Sequence, residues 1–274
     1  MGGKVCLVTG ASSGLGKATT LGLANLGAQV VMVCRDETRG EAARQDIIKQ
    51  SNNQNVELLI ADLSSLSDVY ALAEKVKQRF AKLHVLINNA GVYLRKRQVT
   101  EDGFEQTLAV NYLAPFLLTN LLLELLMASV PARIINVAGA YHARGRLHFD
   151  DLQLTQSYTG ATANNQAQLA RVLFTYELAR RLEGTDVTAN CLHPGSVRTN
   201  IMRDMPEPVQ LLADTLLRPV FKNPEQGAET ILYLATSPEV EAISGKYFVN
   251  KCPVLSSRVS YNSELAKRLW TMSE

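Results

Sequence analysis

The sequence predicts an α/β fold: a doubly wound parallel sheet of about seven strands with helices on both faces. Three observations predict it. A short aliphatic run, Val5 to Val8, breaks at Gly10, Gly14 and Gly16 and passes straight into a helical pattern. Strand-like and helix-like segments then alternate along the whole chain, which is the pattern of a parallel sheet covered on both sides. The strands end in polar residues such as Arg35, Asp62 and Asn88, at the edge where such sheets bind ligands.

Taken in order, Val5 to Val8 has the composition of a strand buried on both faces, and a helix begins at about Leu15. Gln29 to Cys34 is a second strand, Glu37 to Gln50 a charged amphipathic helix, and Asn52 to Asn55 a polar turn. Val56 to Ala61 forms a third strand, Leu66 to Phe80 a helix, and Val85 to Asn88 a fourth strand that runs into Asn89, Ala90 and Gly91. Two helices follow, about Asp102 to Val110 and Leu113 to Ala128, and then a fifth strand, Arg133 to Val137. A long helix covers roughly Thr162 to Leu182, with Leu169, Val172, Leu173 and Tyr176 on one face. Val187 to Leu192 is a sixth strand ending at His193, Pro194 and Gly195; Met202 to Leu217 and Pro224 to Ala235 are helical, and Tyr247 to Val249 is a last short strand. Neither repeats nor low-complexity linkers interrupt the series, so residues 1–274 read as one domain.

Composition narrows the function. A formal charge of +2, with no basic stripe interleaved with aromatics, excludes a nucleic-acid surface. The four cysteines (Cys6, Cys34, Cys191, Cys252) lie far apart and lack metal-ligand spacing, so no metal is expected and reduced thiols in a cytoplasmic protein are. The sequence enters its first strand almost at once, so no signal peptide is expected. Leu113 to Val130 is the most apolar stretch, but it carries Pro115, Asn120 and Glu124, which favours a buried or interface helix over a membrane span.

The glycine turn is the strongest chemical signal. Without a Cβ, the backbone can approach a ligand closely, and the unpaired N–H groups of a helix start favour a phosphate there. The spacing is G-x-x-x-G-x-G, and with a strand before it, a helix after it and a second strand ending in a charged residue, the turn reads as a dinucleotide site. Arg35 closes that second strand, ahead of Asp36. An arginine accommodates a 2′-phosphate where an acid would bind ribose hydroxyls, so NADP(H) is expected over NAD.

Thr9 to Gly16, Asp62, the Asn88 to Gly91 segment, Asn111 and Pro194-Gly195 together resemble the short-chain dehydrogenase/reductase family over nearly the whole chain. Val33 to Asp36, Leu173 to Thr175 and Glu177 to Leu182 are similar to its retinol-dehydrogenase-like branch. The resemblance implies a Rossmann-type domain, often dimeric or tetrameric, whose cofactor half is about 1–140. It implies cofactor contacts at Gly10, Ser12, Ser13, Gly14, Leu15, Gly16, Arg35, Asp62, Leu63, Asn89, Ala90, Gly91, Gln168, Pro194, Gly195 and Val197. It also implies a lid over a lipophilic ligand at about 196–220, which Ile201, Met202 and Met205 would make apolar. The tail, 254–274, carries Trp270 and is expected to cap the pocket or meet a second subunit.

The catalytic positions depart from the family. Its members use a tyrosine as general acid/base, a lysine four residues later that lowers the phenol's pKa and holds the nicotinamide ribose, a serine that positions the carbonyl, and an asparagine that supports a water relay. In register, Asn164 stands at the tyrosine position, Gln168 at the lysine position and Ala138-Gly139 at the serine pair, while Asn111 remains. A carboxamide exchanges no proton at neutral pH, and losing a positioned general acid costs about 10²–10⁴ in rate. The expected function is therefore cofactor binding joined to non-redox chemistry (cyclisation, isomerisation or elimination) on a lipophilic small molecule. The alternatives are a retinol-dehydrogenase-type oxidoreductase with a substitute proton donor, and a cofactor-sensing or scaffolding protein without catalysis. Tyr141 and His142, just after the serine position, are candidate groups, facing Asn164 and Gln168; Tyr158 reads as a core or rim residue.

Overall fold

The computed structural model describes residues 1–195 and 222–274. Val197, the lid at about 196–220 and the helix expected from Met202 lie outside them. At the centre stands an eight-stranded sheet in the order β3-β2-β1-β4-β5-β6-β7-β8. The strands are β1 (Val5–Thr9), β2 (Gln29–Cys34), β3 (Val56–Ile60), β4 (Val85–Asn88), β5 (Ala132–Val137), β6 (Val187–His193), β7 (Tyr247–Val249) and β8 (Cys252–Val254). All neighbours pair in parallel except β7 and β8. The order reverses between β1 and β4, and that crevice is where doubly wound sheets place ligands.

Alternation along β1 shows why the sheet needs two helical layers. Cys6 and Val8 face one core, with α1 (Gly14–Asn25) and α2 (Glu37–Ser51), and Val5 and Leu7 face the other, with α3 (Leu66–Arg79). A helical run beginning with the short α4 (Gln106–Leu108) passes through one π-helical turn, Ala109–Leu113, into α5 (Ala114–Met127). Its apolar length would suffice to cross a membrane, yet more than half of that stretch is buried in the protein. The long α6 (Gly160–Arg181) packs beside it, and α7 (Pro224–Thr236) completes the opposite layer against α1. The last helix, α8 (Ser263–Ser273), turns Trp270 inward, with its ring 5.0 Å from that of Phe116 and 5.8 Å from that of Phe174. Trp270 is therefore part of this chain's own core. The guanidinium of Arg181 covers its outer face at 4.0 Å.

Two expectations need correcting. The helix drawn from Asp102 begins at Gln106, because Val99 and Glu105 pair across a turn in which Gly103 has φ +85°. The buried Glu105 carboxylate then caps the run, accepting from the N–H groups of Thr107 and Leu108. The sheet also has an eighth strand, the antiparallel β8, which is exposed and contains Pro253, as an edge strand tolerates.

Candidate functional site

The turn between β1 and α1 is laced to the end of β4. Thr9 Oγ1 accepts from the N–H groups of Asn89 and Ala90, both at 3.0 Å, and Asn89 Nδ2 donates to the Thr9 carbonyl at 2.8 Å. Asn89 thus braces the turn from inside, rather than reaching a cofactor with its side chain. Gly10 adopts φ +68°, and a Cβ on Gly16 would stand 2.2 Å from the Gly10 carbonyl oxygen. Ser13, at the N-cap of α1, makes no side-chain cap, so the first N–H groups of the helix, beside Gly14 and the buried Leu15, keep no partner from it. This close-packed glycine turn and uncapped helix start fit the phosphates of a dinucleotide. Ser12 lies in the same turn.

At the end of β2, Arg35 is exposed, and Asp36 is committed elsewhere: its carboxylate caps α2, accepting from the Arg39 N–H at 2.8 Å. At the end of β3, Asp62 Oδ1 accepts from the Ser64 N–H and hydroxyl, which orders the turn through Leu63 into α3. Gly91 follows β4, and a Cβ there would touch Asn111 Oδ1 at 3.4 Å. Pro194 and Gly195 follow β6; Gly195 has φ +92° and packs on Lys222.

The structure brings Gly139, Asn164 and Gln168 together and binds them to one another. Gln168 Oε1 accepts from the Gly139 N–H at 2.7 Å, and Gln168 Nε2 lies 3.4 Å from Asn164 Oδ1, one turn away on α6. Both side chains are half-buried. A Cβ at Gly139 would have ordinary contacts only, with Gln168 Cδ at 3.7 Å and the Tyr141 ring at 3.8 Å, so the position has room for a side chain it lacks. Tyr141 itself is 56% exposed, beside that gap.

Asn111 is engaged through both its side chain and its backbone. Its side chain is occupied by the backbone of Val92, accepting from the N–H at 2.8 Å and donating to the carbonyl at 2.9 Å. Its own carbonyl accepts from Arg171 Nε at 2.7 Å. Arg171 escaped the sequence reading; the remaining guanidinium nitrogens donate to the carbonyls of Val137 and Ala90. The one signal was its place in a helix with buried residues all round, where a charge had no outward face.

Both ring nitrogens of His142 are engaged by backbone. Its Nε2 accepts from the Ser257 N–H at 3.1 Å, which leaves Nδ1 to donate to the Gly139 carbonyl at 2.9 Å. The imidazole is therefore neutral, and burial holds its pKa below the usual value. Tyr158 is engaged as well, its hydroxyl donating to the Leu94 carbonyl at 2.9 Å. Burial pushes the Cys6 and Cys191 thiols up to about 12 and Cys34 to about 11, so these thiols are inert.

Comparisons with known proteins bear on the fold and the family. The family model described as short chain dehydrogenase matches residues 4–210. Retinol dehydrogenase 14 of Homo sapiens is 44% identical over 100% of this chain and 86% of its own length. Retinol dehydrogenase 12 of Mus musculus is 43% identical over 99% and 85%. Among solved structures, a Mycobacterium paratuberculosis protein aligns with TM-score 0.80 and 32% identity, covering 100% of this chain and 92% of the other.

Proposed function

This chain belongs to the short-chain dehydrogenase family, and from that premise we propose that it is a slow oxidoreductase of the retinol-dehydrogenase type, using NADP(H) on a lipophilic alcohol or aldehyde. The hydride is what a bound nicotinamide supplies or accepts. The turn from Gly10 to Gly16 and the start of α1 hold the pyrophosphate. Arg35 takes the 2′-phosphate, a role favoured by the commitment of Asp36 to its helix cap. Gln168 Oε1 is used by Gly139 and one Nε2 hydrogen faces Asn164, which leaves the second Nε2 hydrogen to donate to a ribose hydroxyl.

Proton transfer is the weak step. Asn164 cannot supply a proton, and Tyr158 is bound to Leu94. The Tyr141 hydroxyl, on an exposed ring beside Gly139, is the donor we assign. Without a positioned phenol and ammonium, turnover falls by about 10²–10⁴. The observation that carries the proposal is the laced glycine turn in a chain whose full-length relatives are named dehydrogenases. The non-redox reading set out from the sequence gains no support from those relatives. What favours it is the bond between Gln168 and Gly139, which ties up the catalytic row.

The test follows dihydronicotinamide absorbance with NADPH and a panel of retinoid and aliphatic aldehydes. Slow oxidation that drops at least about tenfold in Tyr141→Phe is expected. An aldehyde or alcohol consumed with no change in cofactor would point to the non-redox reading. Brisk turnover that Tyr141→Phe leaves untouched would remove the assigned donor.

A further inference from the structure

Arg171 is 2% exposed in the middle of α6. Its guanidinium ends on carbonyls from separate segments: Ala90 after β4, Asn111 in the π-helical turn, and Val137 at the end of β5. Each of those residues adjoins or is a position assigned to the site, namely Gly91, Asn111 and Ala138. Among the described residues Arg171 has no carboxylate partner; the nearest acid along its helix, Glu177, is committed to Arg180 and Arg181. Carbonyls solvate the guanidinium with dipoles but do not cancel its charge, so a full positive charge stays in the wall of the groove. Burial brings its pKa down to about 10, which leaves it protonated at neutral pH.

The placement bears on the residue one turn earlier. The family resemblance puts a lysine at position 168, where this chain has the neutral Gln168. Residues 168 and 171 are i,i+3 neighbours on one side of the helix. The groove thus has a neutral amide where the resemblance implies a cation, and holds a buried cation one turn further along the helix. Oxidised nicotinamide carries a positive charge and the reduced ring does not, and a buried like charge penalises the charged form.

We propose that Arg171 is a positioning residue that braces these three segments and places a buried cation in the wall of the groove, biasing it toward the reduced, uncharged nicotinamide. The proposal rests on the reading of this groove as an NADP(H) site, and it adds a preference between the two redox forms that the site geometry alone did not assign. It also gives a reason for the arginine: a brace alone needs hydrogen-bond donors, whereas the bias needs the charge.

The test measures affinities of NADPH and NADP⁺ by calorimetry on the unmodified protein, Arg171→Gln and Arg171→Lys. The unmodified protein is expected to bind NADPH more tightly. In Arg171→Gln the ratio of the two affinities falls by about tenfold, the order of effect a unit charge produces at protein-like dielectric. Arg171→Lys keeps the ratio even where both affinities drop, because it keeps the charge and loses carbonyl bonds. Equal weakening of both cofactors by Gln, or the same loss of ratio in Lys as in Gln, would reduce Arg171 to a brace and overturn the proposal. If neither variant folds, the unmodified protein decides: NADP⁺ bound as tightly as NADPH, or more so, overturns it. Should the unmodified protein bind neither cofactor, the NADP(H) reading itself falls, an outcome distinct from binding without a redox preference.

Discussion

Replacing Gly16 by alanine should damage stability and cofactor affinity together. The added Cβ would stand 2.2 Å from the Gly10 carbonyl oxygen, 2.5 Å from Asn89 Nδ2 and 2.9 Å from the Gly10 carbonyl carbon. Close carbon–oxygen contacts settle at about 3.3–3.6 Å, so the start of α1 must retreat by roughly 1 Å from the strand that it leaves. Two of the three obstacles are backbone, which has no rotamer to yield. Overpacking of this kind costs about 1–3 kcal/mol, which for a chain this long lowers the melting temperature by roughly 2–12 °C. The retreat also withdraws the helix N–H groups from the phosphate position, and a loss of about 1.4 kcal/mol there is tenfold in affinity. Calorimetric melting with and without NADPH reads both effects. Gly2→Ala is the control, since no heavy atom lies within 4 Å of its added Cβ. A Gly16→Ala protein that melts and binds like the control would refute the packing described for this turn.

Arg35→Ala should lower the preference for NADPH over NADH by on the order of tenfold, as loss of one charge-assisted phosphate contact does, measured as a ratio of dissociation constants; an unchanged ratio would move the 2′-phosphate elsewhere. Truncating Trp270 to alanine should cost about 3–5 kcal/mol, because its ring packs on Phe116 and Phe174, and urea unfolding would show it as a lower midpoint. Stability should fall on acidification below pH ~6.5. Burial depresses the folded-state pKa of His142, so the unfolded chain binds the extra proton first, and the penalty grows until the folded imidazole also protonates. His84 and His193, both lowered chiefly by burial, act in the same direction. Denaturation midpoints followed from neutral pH downward should therefore slope less in His142→Gln; an identical slope would exclude His142 as a contributor.

The parts of the fold legible in the sequence were those fixed by short-range sterics. Gly10 is favoured by its positive φ and Gly16 by backbone that crowds any Cβ, and β2 and β4 were bounded correctly because their buried aliphatic runs are marked off by Gln29 before one and Asn88 at the close of the other. What escaped was decided at long range. β8 is a strand because β7 offers it an edge, while Pro253 at its centre argues against one locally. Asn111 was legible as a site residue, but its engagement with Val92, nineteen positions back, was not. His142 could have been either catalyst or clip until Ser257 arrived from the far end of the chain. Arg171 is the extreme case, since its partners lie 34, 60 and 81 positions away and a charge in a helix is ordinarily solvated.

The π-helical turn at Ala109–Leu113 fixes how this region can vary in length. Such a turn holds one residue more than the regular coil around it. Deleting that extra residue would restore ordinary winding and leave the phase of the helix downstream unchanged, so Phe116, Leu118 and Leu122 would stay buried. What the deletion would remove is the wide turn itself, and with it the seat of the Asn111 carbonyl on Arg171. Shortening here should therefore disturb the groove before it disturbs the core. Insertions and deletions should be tolerated instead in the turn around Gly103, where the phase of the helix has yet to be set.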